Sequence, residues 1–146
     1  MVKKNSKMLA LIFLIGICLG LGTCAVYASS ADSSWGYYGP FLGYSYQNQA
    51  RVSDDQGFVD ASTYVQPSSG SVPTGYMGCQ ARLFKDDALY DTTTMHYNDS
   101  PMYTMRYYTQ NRNTASGIYY SYGITAAYNG NGYSNYYTFK SPSMNY

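Results

Sequence analysis

The sequence predicts an all-β protein: an antiparallel β-sandwich or small barrel of about six to eight short strands behind an N-terminal export signal. Three observations predict it. After Ala28 the chain has three Leu (Leu42, Leu83, Leu89), two Lys and no Glu, while Gly, Ser, Thr, Asn and Tyr dominate. Such a composition starves helices and suits strands. Apolar and polar residues then alternate with a period of two over several stretches, which is the mark of a half-buried strand. Finally, Gly, Asn, Asp, Pro and Ser gather between those stretches, where turns need them.

The first 28 residues read as the signal. Lys3, Lys4 and Lys7 precede an apolar run from Met8 to Leu21, and Val26 and Ala28 give the small-residue pattern of a peptidase site. Cleavage is expected after Ala28. The run is shorter than the roughly 20 residues that span a bilayer, so a permanent anchor is the weaker reading. Lipidation at Cys24 is weaker still, because Thr23 fits poorly before a lipobox cysteine.

Trp35-Gly36-Tyr37-Tyr38-Gly39-Pro40-Phe41 follows as an aromatic cluster that Gly and Pro make turn-like. It is either a binding loop or a plug over a sandwich end or edge. Tyr44 to Val52 alternates Tyr44, Tyr46, Asn48, Ala50 and Val52 against Ser45, Gln47, Gln49 and Arg51. A turn at 53–57 leads into Phe58 to Gln66, with Val59, Ala61, Thr63 and Val65 on one side. Pro67 to Gly75 is the only stretch long enough for an internal linker. Tyr76 to Phe84 carries Met77, Cys79, Ala81 and Leu83 on one face, and Lys85-Asp86-Asp87-Ala88 turns it back into Leu89 to Tyr97. Asn98 to Pro101 is a turn, Met102 to Gln110 a strand ended by Asn111-Arg112-Asn113, and Ile118 to Tyr128 the longest strand. Asn129-Gly130-Asn131-Gly132 closes that strand onto Tyr133 to Phe139, since Asn-Gly supplies the positive φ angles of a tight hairpin. Two adjacent Asn-Gly pairs leave two registers, with Ile124 opposite Tyr137 or Phe139. In either, Tyr122, Ile124, Ala126, Tyr137 and Phe139 share the face expected in the core. Residues 29–146 thus form one expected domain. A prion-like disordered tract is the competing reading of the same Tyr-Gly-Asn-Ser bias, and the spaced turns argue against it.

Charge narrows the function. With the signal removed, Lys85, Lys140, Arg51, Arg82, Arg106 and Arg112 stand against eight Asp, a net charge of −2. No basic face remains for nucleic acid, and no further membrane segment is expected. Cys79 is then the only thiol; its place in an alternating apolar series predicts burial rather than an intermolecular bridge.

Ile, Leu and Val number nine after residue 28, too few to fill a core, so Tyr, Phe and Met must supply volume. Yet Tyr37-Tyr38, Tyr107-Tyr108, Tyr119-Tyr120 and Tyr136-Tyr137 are adjacent pairs, and successive strand residues point to opposite faces. Each strand-borne pair therefore sends one ring out. The face assignment above puts Tyr108, Tyr119 and Tyr136 outside. With Trp35, Tyr37 and Tyr38 they are the expected binding residues, able to stack on sugar rings or take a protein partner. The plainer alternative is cross-strand Tyr packing that only stabilises a sheet.

Catalytic signals are weak. His96 is the single histidine and no G-x-S-x-G elbow occurs. Asp54-Asp55 and Asp86-Asp87 sit where turns favour Asp. No cofactor or metal is expected, and the reading is of a non-enzyme.

Pro73–Lys85 (Pro-Thr-Gly-Tyr-Met-Gly-Cys-Gln-Ala-Arg-Leu-Phe-Lys) and Ser121–Tyr133 (Ser-Tyr-Gly-Ile-Thr-Ala-Ala-Tyr-Asn-Gly-Asn-Gly-Tyr), the latter followed by Tyr136, Thr138 and Ser141-Pro142, resemble segments of small secreted proteins of Gram-positive bacteria. The chain also bears a fainter likeness to lactococcin 972-type bacteriocins, secreted β-sandwich proteins rich in Tyr and Gly. The resemblance implies an exported bacterial protein and supplies no catalytic residue. The expected function is binding of cell-wall polysaccharide or a surface protein, extracellularly or at the wall, with a bacteriocin-like antagonist as the alternative.

Overall fold

The computed structural model describes residues 29–55, 57–110 and 115–146. The export signal expected at 1–28 and the strand end expected at 111–113 lie outside the described residues. The strands are β1 (Ser29–Asp32), β2 (Gly36–Phe41), β3 (Tyr44–Asp55), β4 (Phe58–Pro67), β5 (Met77–Gln80), β6 (Arg82–Lys85) and β7 (Ala88–Thr92). They continue as β8 (His96–Tyr97), β9 (Met105–Tyr108), β10 (Ile118–Ser121), β11 (Ile124–Tyr128), β12 (Tyr133–Tyr137) and β13 (Met144–Asn145). Every pairing among them is antiparallel.

One layer has β3 and β4 as its spine, with β9 beyond β4 and both β1 and β2 along the far edge of β3. The other layer is bent. β5 runs into β6 through Ala81, and β10 into β11 through Tyr122-Gly123. β11 pairs with β5 and β10 with β6, flanked by β12 and β13 on one side and by β8 and β7 on the other. The two halves meet at the bend, where the Tyr122 amide donates to the Arg82 carbonyl at 3.2 Å. The sheets pack face to face and do not close into a barrel.

The alternation read from the sequence is what fills the space between them. Tyr46, Ala50 and Val52 from β3, Val59, Ala61 and Val65 from β4, and Met77, Cys79, Ala81 and Leu83 from β5–β6 are all buried. The core divides at the bend. Tyr46, Val65, Val72, Met77, Cys79, Met105 and Ala127 form one cluster, and Val52, Val59, Ala61, Leu83 and Tyr119 the other. A polar seam lies with them. The Thr125 hydroxyl accepts from Asn48 Nδ2 (2.8 Å) and from the Tyr38 hydroxyl (3.0 Å) and donates to the Tyr136 carbonyl (3.3 Å). One hydroxyl has one proton and two lone pairs, so these three bonds use all it has.

Three expectations need correction. The stretch Trp35–Phe41 is no free turn: Gly36–Phe41 is an edge strand on β3, with a register shift between Tyr38 and Phe41 beside Gly39 at φ +102°. Pro67–Gly75 is no linker, because Val72 is buried and bridges Met102 through N–H···O bonds of 2.9 and 3.2 Å. The last hairpin has Ile124 opposite Tyr137, one of the two expected registers, and Ala126 is buried as expected, but the rings of the two strands face the other way. Tyr137 and Phe139 are 57% and 58% exposed, whereas Tyr136 turns inward. The cause lies across the core. Tyr38, Tyr46 and Asn48 come in from the first layer, so the facing strand must present small side chains and a hydroxyl, which Thr125 and Ala127 provide and Ile124 cannot.

Cys79 has no exposed surface, and burial pushes its thiol up to about 12. Since the thiolate is the reactive species, we expect no alkylation of Cys79 in the native protein at pH 8 and full modification in denaturant, read by peptide mapping. Rapid native labelling would contradict the packing.

Candidate functional site

Of the six residues expected to bind, the structure exposes two on one face. Tyr37 (72% exposed) and Tyr108 (47%) point outward from the first layer. There the Tyr64 ring lies between two guanidiniums, Arg51 at 5.5 Å and Arg106 at 5.2 Å, and Arg106 is also 5.5 Å from the Tyr108 ring. Arg51 is neutralised by Asp32, with Nη2 donating to Oδ2 at 2.8 Å. Arg106 donates to the Ser62 hydroxyl at 2.9 Å. Trp35 is half-buried just ahead of β2.

The other three belong to the interior. Tyr119 has no exposed surface and donates its hydroxyl to the Ala115 carbonyl, so its assignment to an outer strip is overturned. Tyr38 and Tyr136 stack on each other with ring centres 4.1 Å apart, and Tyr38 stacks again on Tyr46 at 5.6 Å. Burial drives the Tyr38 phenol well above its ordinary range. These rings join the layers and are not offered to a ligand.

An aromatic row does exist, built from the partners of those residues. On the outer face of the bent layer Tyr120 and Phe84 are cross-strand neighbours and stack in parallel at 5.0 Å. Phe84 touches Tyr122 at 6.3 Å, and Tyr122 stacks on Tyr137 at 5.3 Å with 14° between the planes. Two cations sit on this row. The Arg82 guanidinium is 4.9 Å from the Phe84 centre, 5.9 Å from Tyr122 and 6.0 Å from Tyr137. The Lys140 ammonium lies 3.4 Å over Tyr120 and 3.6 Å from Asp87 Oδ1. Packing around Tyr120, then the Asp87 carboxylate, raises its phenol pKa.

The same face carries a second ring group at the other half of the layer. Tyr97 and Tyr133 are 4.2 Å apart, and Tyr128 lies 5.7 Å from Tyr133. Gly78 makes the seat for Tyr97: a Cβ there would stand 2.7 Å from Tyr97 Cδ1 and 2.8 Å from the His96 carbonyl. The row was findable in the sequence from the Tyr doublets, but only with the opposite face assignment. Arg82 and Phe84 carried no signal until the register placed them beside Tyr122 and Tyr120.

His96 is half-buried on β8. Its ring stacks on Tyr107 at 3.9 Å and its Nε2 is 3.1 Å from the Thr94 hydroxyl. Beside it an open cleft of about 610 Å³ runs between β7–β8 and β9, lined by Asp91, Thr94, His96, Tyr107, Tyr108 and Gln110 among others. Among the described residues no cluster of three His, Cys, Asp or Glu is placed to hold a metal ion. Asp86 and Asp87 instead form the β6–β7 turn, with φ of +48° and +65°. Asp86 accepts the Ile118 amide at 3.0 Å, and this bond, helped by Lys85, lowers its pKa. Asp tolerates that backbone region better than most residues.

Fold and surface together define an antiparallel β-sandwich whose outer faces carry aromatic rings interleaved with cations. No protein family, curated protein or solved structure matches the chain.

Proposed function

We propose that this is a secreted, non-enzymatic sandwich protein that binds cell-envelope glycan through the outer face of its bent layer. The observation that carries the reading is the row Tyr137–Tyr122–Phe84–Tyr120 on the outer face of the bent layer, in which Tyr137 is exposed, Tyr122 and Phe84 are half-buried and Tyr120 is buried beneath Lys140. A pyranose ring has a flat C–H face that packs on an aromatic face, and successive sugars can occupy successive rings. Rings held by cross-strand stacking also lose little freedom when a ligand arrives. The export signal supplies the compartment in which such a polymer would be met.

Retention on insoluble wall polysaccharide tests this. Tyr137→Ala removes the most exposed ring of the row and is expected to weaken binding about tenfold with the fold intact by circular dichroism. Tyr37→Ala and Tyr108→Ala, on the opposite face, are expected to change it little. Equal binding by all three variants and the parent protein would remove the row as the site. Retention that survives digestion of the glycan and is lost on protease treatment of the wall would replace the glycan by a protein partner.

A further inference from the structure

We infer that the polymer bound on this face is anionic, a polysaccharide or polyol chain whose repeat bears a carboxylate or phosphate, and that Arg82 reads that charge. The inference rests on the reading of the aromatic row as a glycan platform and adds the chemical class of its ligand.

The argument begins with what Arg82 lacks. Its guanidinium is surrounded by three ring systems on the outer sheet face, all within about 6 Å. Among the described residues no carboxylate lies within 4.0 Å of it. Three other cations are held by carboxylates: Arg51 by Asp32 in a two-pronged pair, Lys85 by Asp86 at 3.5 Å and Lys140 by Asp87 at 3.6 Å. Arg106 on the opposite face also packs on rings without a carboxylate within 4.0 Å among the described residues, but it donates to the Ser62 hydroxyl at 2.9 and 3.2 Å. Ring faces hold a guanidinium through its charge and its flat surface, and they leave its in-plane N–H donors unspent. Five such donors in a planar fork match the two oxygens of a carboxylate or two of a phosphate.

The neighbouring groups point the same way. Lys140 adds a second positive charge on the Tyr120 end of the row. Its partner Asp87 has a side chain 86% exposed, and a pair that open to water holds weakly, so an arriving oxyanion competes with it at small cost. The chain from residue 29 has a net charge of −2, so two cations gathered on one aromatic row run against the overall balance. A neutral glycan would use the rings and leave the fork idle; an acidic one uses both.

Three soluble probes separate the cases: polygalacturonate for carboxylate, poly(glycerol phosphate) for phosphate, and a neutral β-glucan. The full-length mature protein is titrated with each at about 50 mM and about 500 mM salt. The expected result is at least tenfold tighter binding of one or both anionic polymers than of the neutral one, lost at high salt. Arg82→Gln removes that preference, Arg82→Lys restores part of it, and affinity for the neutral polymer changes less than about twofold. Whichever anionic polymer binds names the oxyanion. If neutral and anionic polymers bind alike and only Tyr137→Ala weakens them, the charge inference is overturned and the platform stands. If Arg82→Gln weakens all three equally, Arg82 only props the rings and the inference is likewise overturned. If no polymer binds and Tyr137→Ala changes nothing on the wall, both readings fail together.

Discussion

Gly123→Ala is expected to destabilise the sandwich by about 3 kcal/mol or more, the upper range for a residue forced into a full core. A Cβ at this position would stand 1.9 Å from Thr63 Oγ1, 2.7 Å from its Cγ2 and 2.8 Å from its Cβ. Neither side can yield easily. Thr63 is β-branched, fully buried in the centre of β4 and so confined to few rotamers. Gly123 is pinned from behind, its amide bonded to Thr138 Oγ1 at 3.0 Å and its carbonyl accepting the Thr138 amide at 3.1 Å. The glycine is therefore required for space and marks a close approach of the bent layer to the flat one. Thr63→Ala deletes the two nearer atoms of the clash but keeps the Cβ. Thr63→Ala/Gly123→Ala should then recover part of the loss, with a coupling above about 1 kcal/mol in a denaturant-unfolding cycle. Simple addition of the two single effects would show that the clash is relieved elsewhere.

That close approach is also where the sequence stops being legible. Strands whose two faces differ sharply could be oriented by alternation alone. Tyr46, Asn48, Ala50 and Val52 against Gln47, Gln49 and Arg51 leave no choice, and all four of the former are buried. Met77, Cys79, Ala81 and Leu83 behave the same way. In β10–β12 both faces carry comparable residues. Ile124 and Ala126 look as apolar as Thr125 and Ala127, and Tyr stands on either side of each doublet. A strand has only two orientations, so one wrong choice inverts every ring attached to it. Taking Ile124 as inward exchanged Tyr119 for Tyr120 and Tyr136 for Tyr137 at once. The deciding facts are long-range: Asn48 and Tyr38 require the Thr125 hydroxyl, and Thr63 requires the bare backbone of Gly123. The existence of an outward aromatic row was thus readable from the doublets, while its membership depended on partners more than 50 residues away. The edge strand β2 was illegible for another reason. Gly36, Gly39 and Pro40 erase the alternation, and only pairing with β3 makes Gly36–Phe41 extended.

The doublet Tyr119-Tyr120 allows the two roles of tyrosine to be separated by experiment. Tyr119→Ala is expected to cost about 3–5 kcal/mol, as large-to-small changes of buried aromatics do. Its ring is fully buried against Val52, Val59, Ala61 and Leu83, with Tyr90 edge-on at 5.6 Å and Tyr146 at 6.4 Å. Tyr119→Phe keeps the volume and loses the hydroxyl's bonds to the Ala115 carbonyl and to Tyr90, so about 1–2 kcal/mol is expected. Alkaline titration gives an independent check. Burial foremost, then the nearby Tyr90, pushes the Tyr119 phenol up to about 12, and burial does the same for Tyr46. An unfolded tyrosine ionises near 10, so above that pH the unfolded chain releases protons that the folded chain still holds. The stabilisation is complete below pH 10 and declines as pH rises towards 12. Tyr119→Phe should flatten this decline. Denaturation midpoints measured from pH 8 to pH 11.5 decide the matter. If Tyr119→Ala folds as stably as the parent protein, the inward orientation of β10 is wrong, and with it the placing of Tyr120, Tyr122 and Phe84 on the outer row.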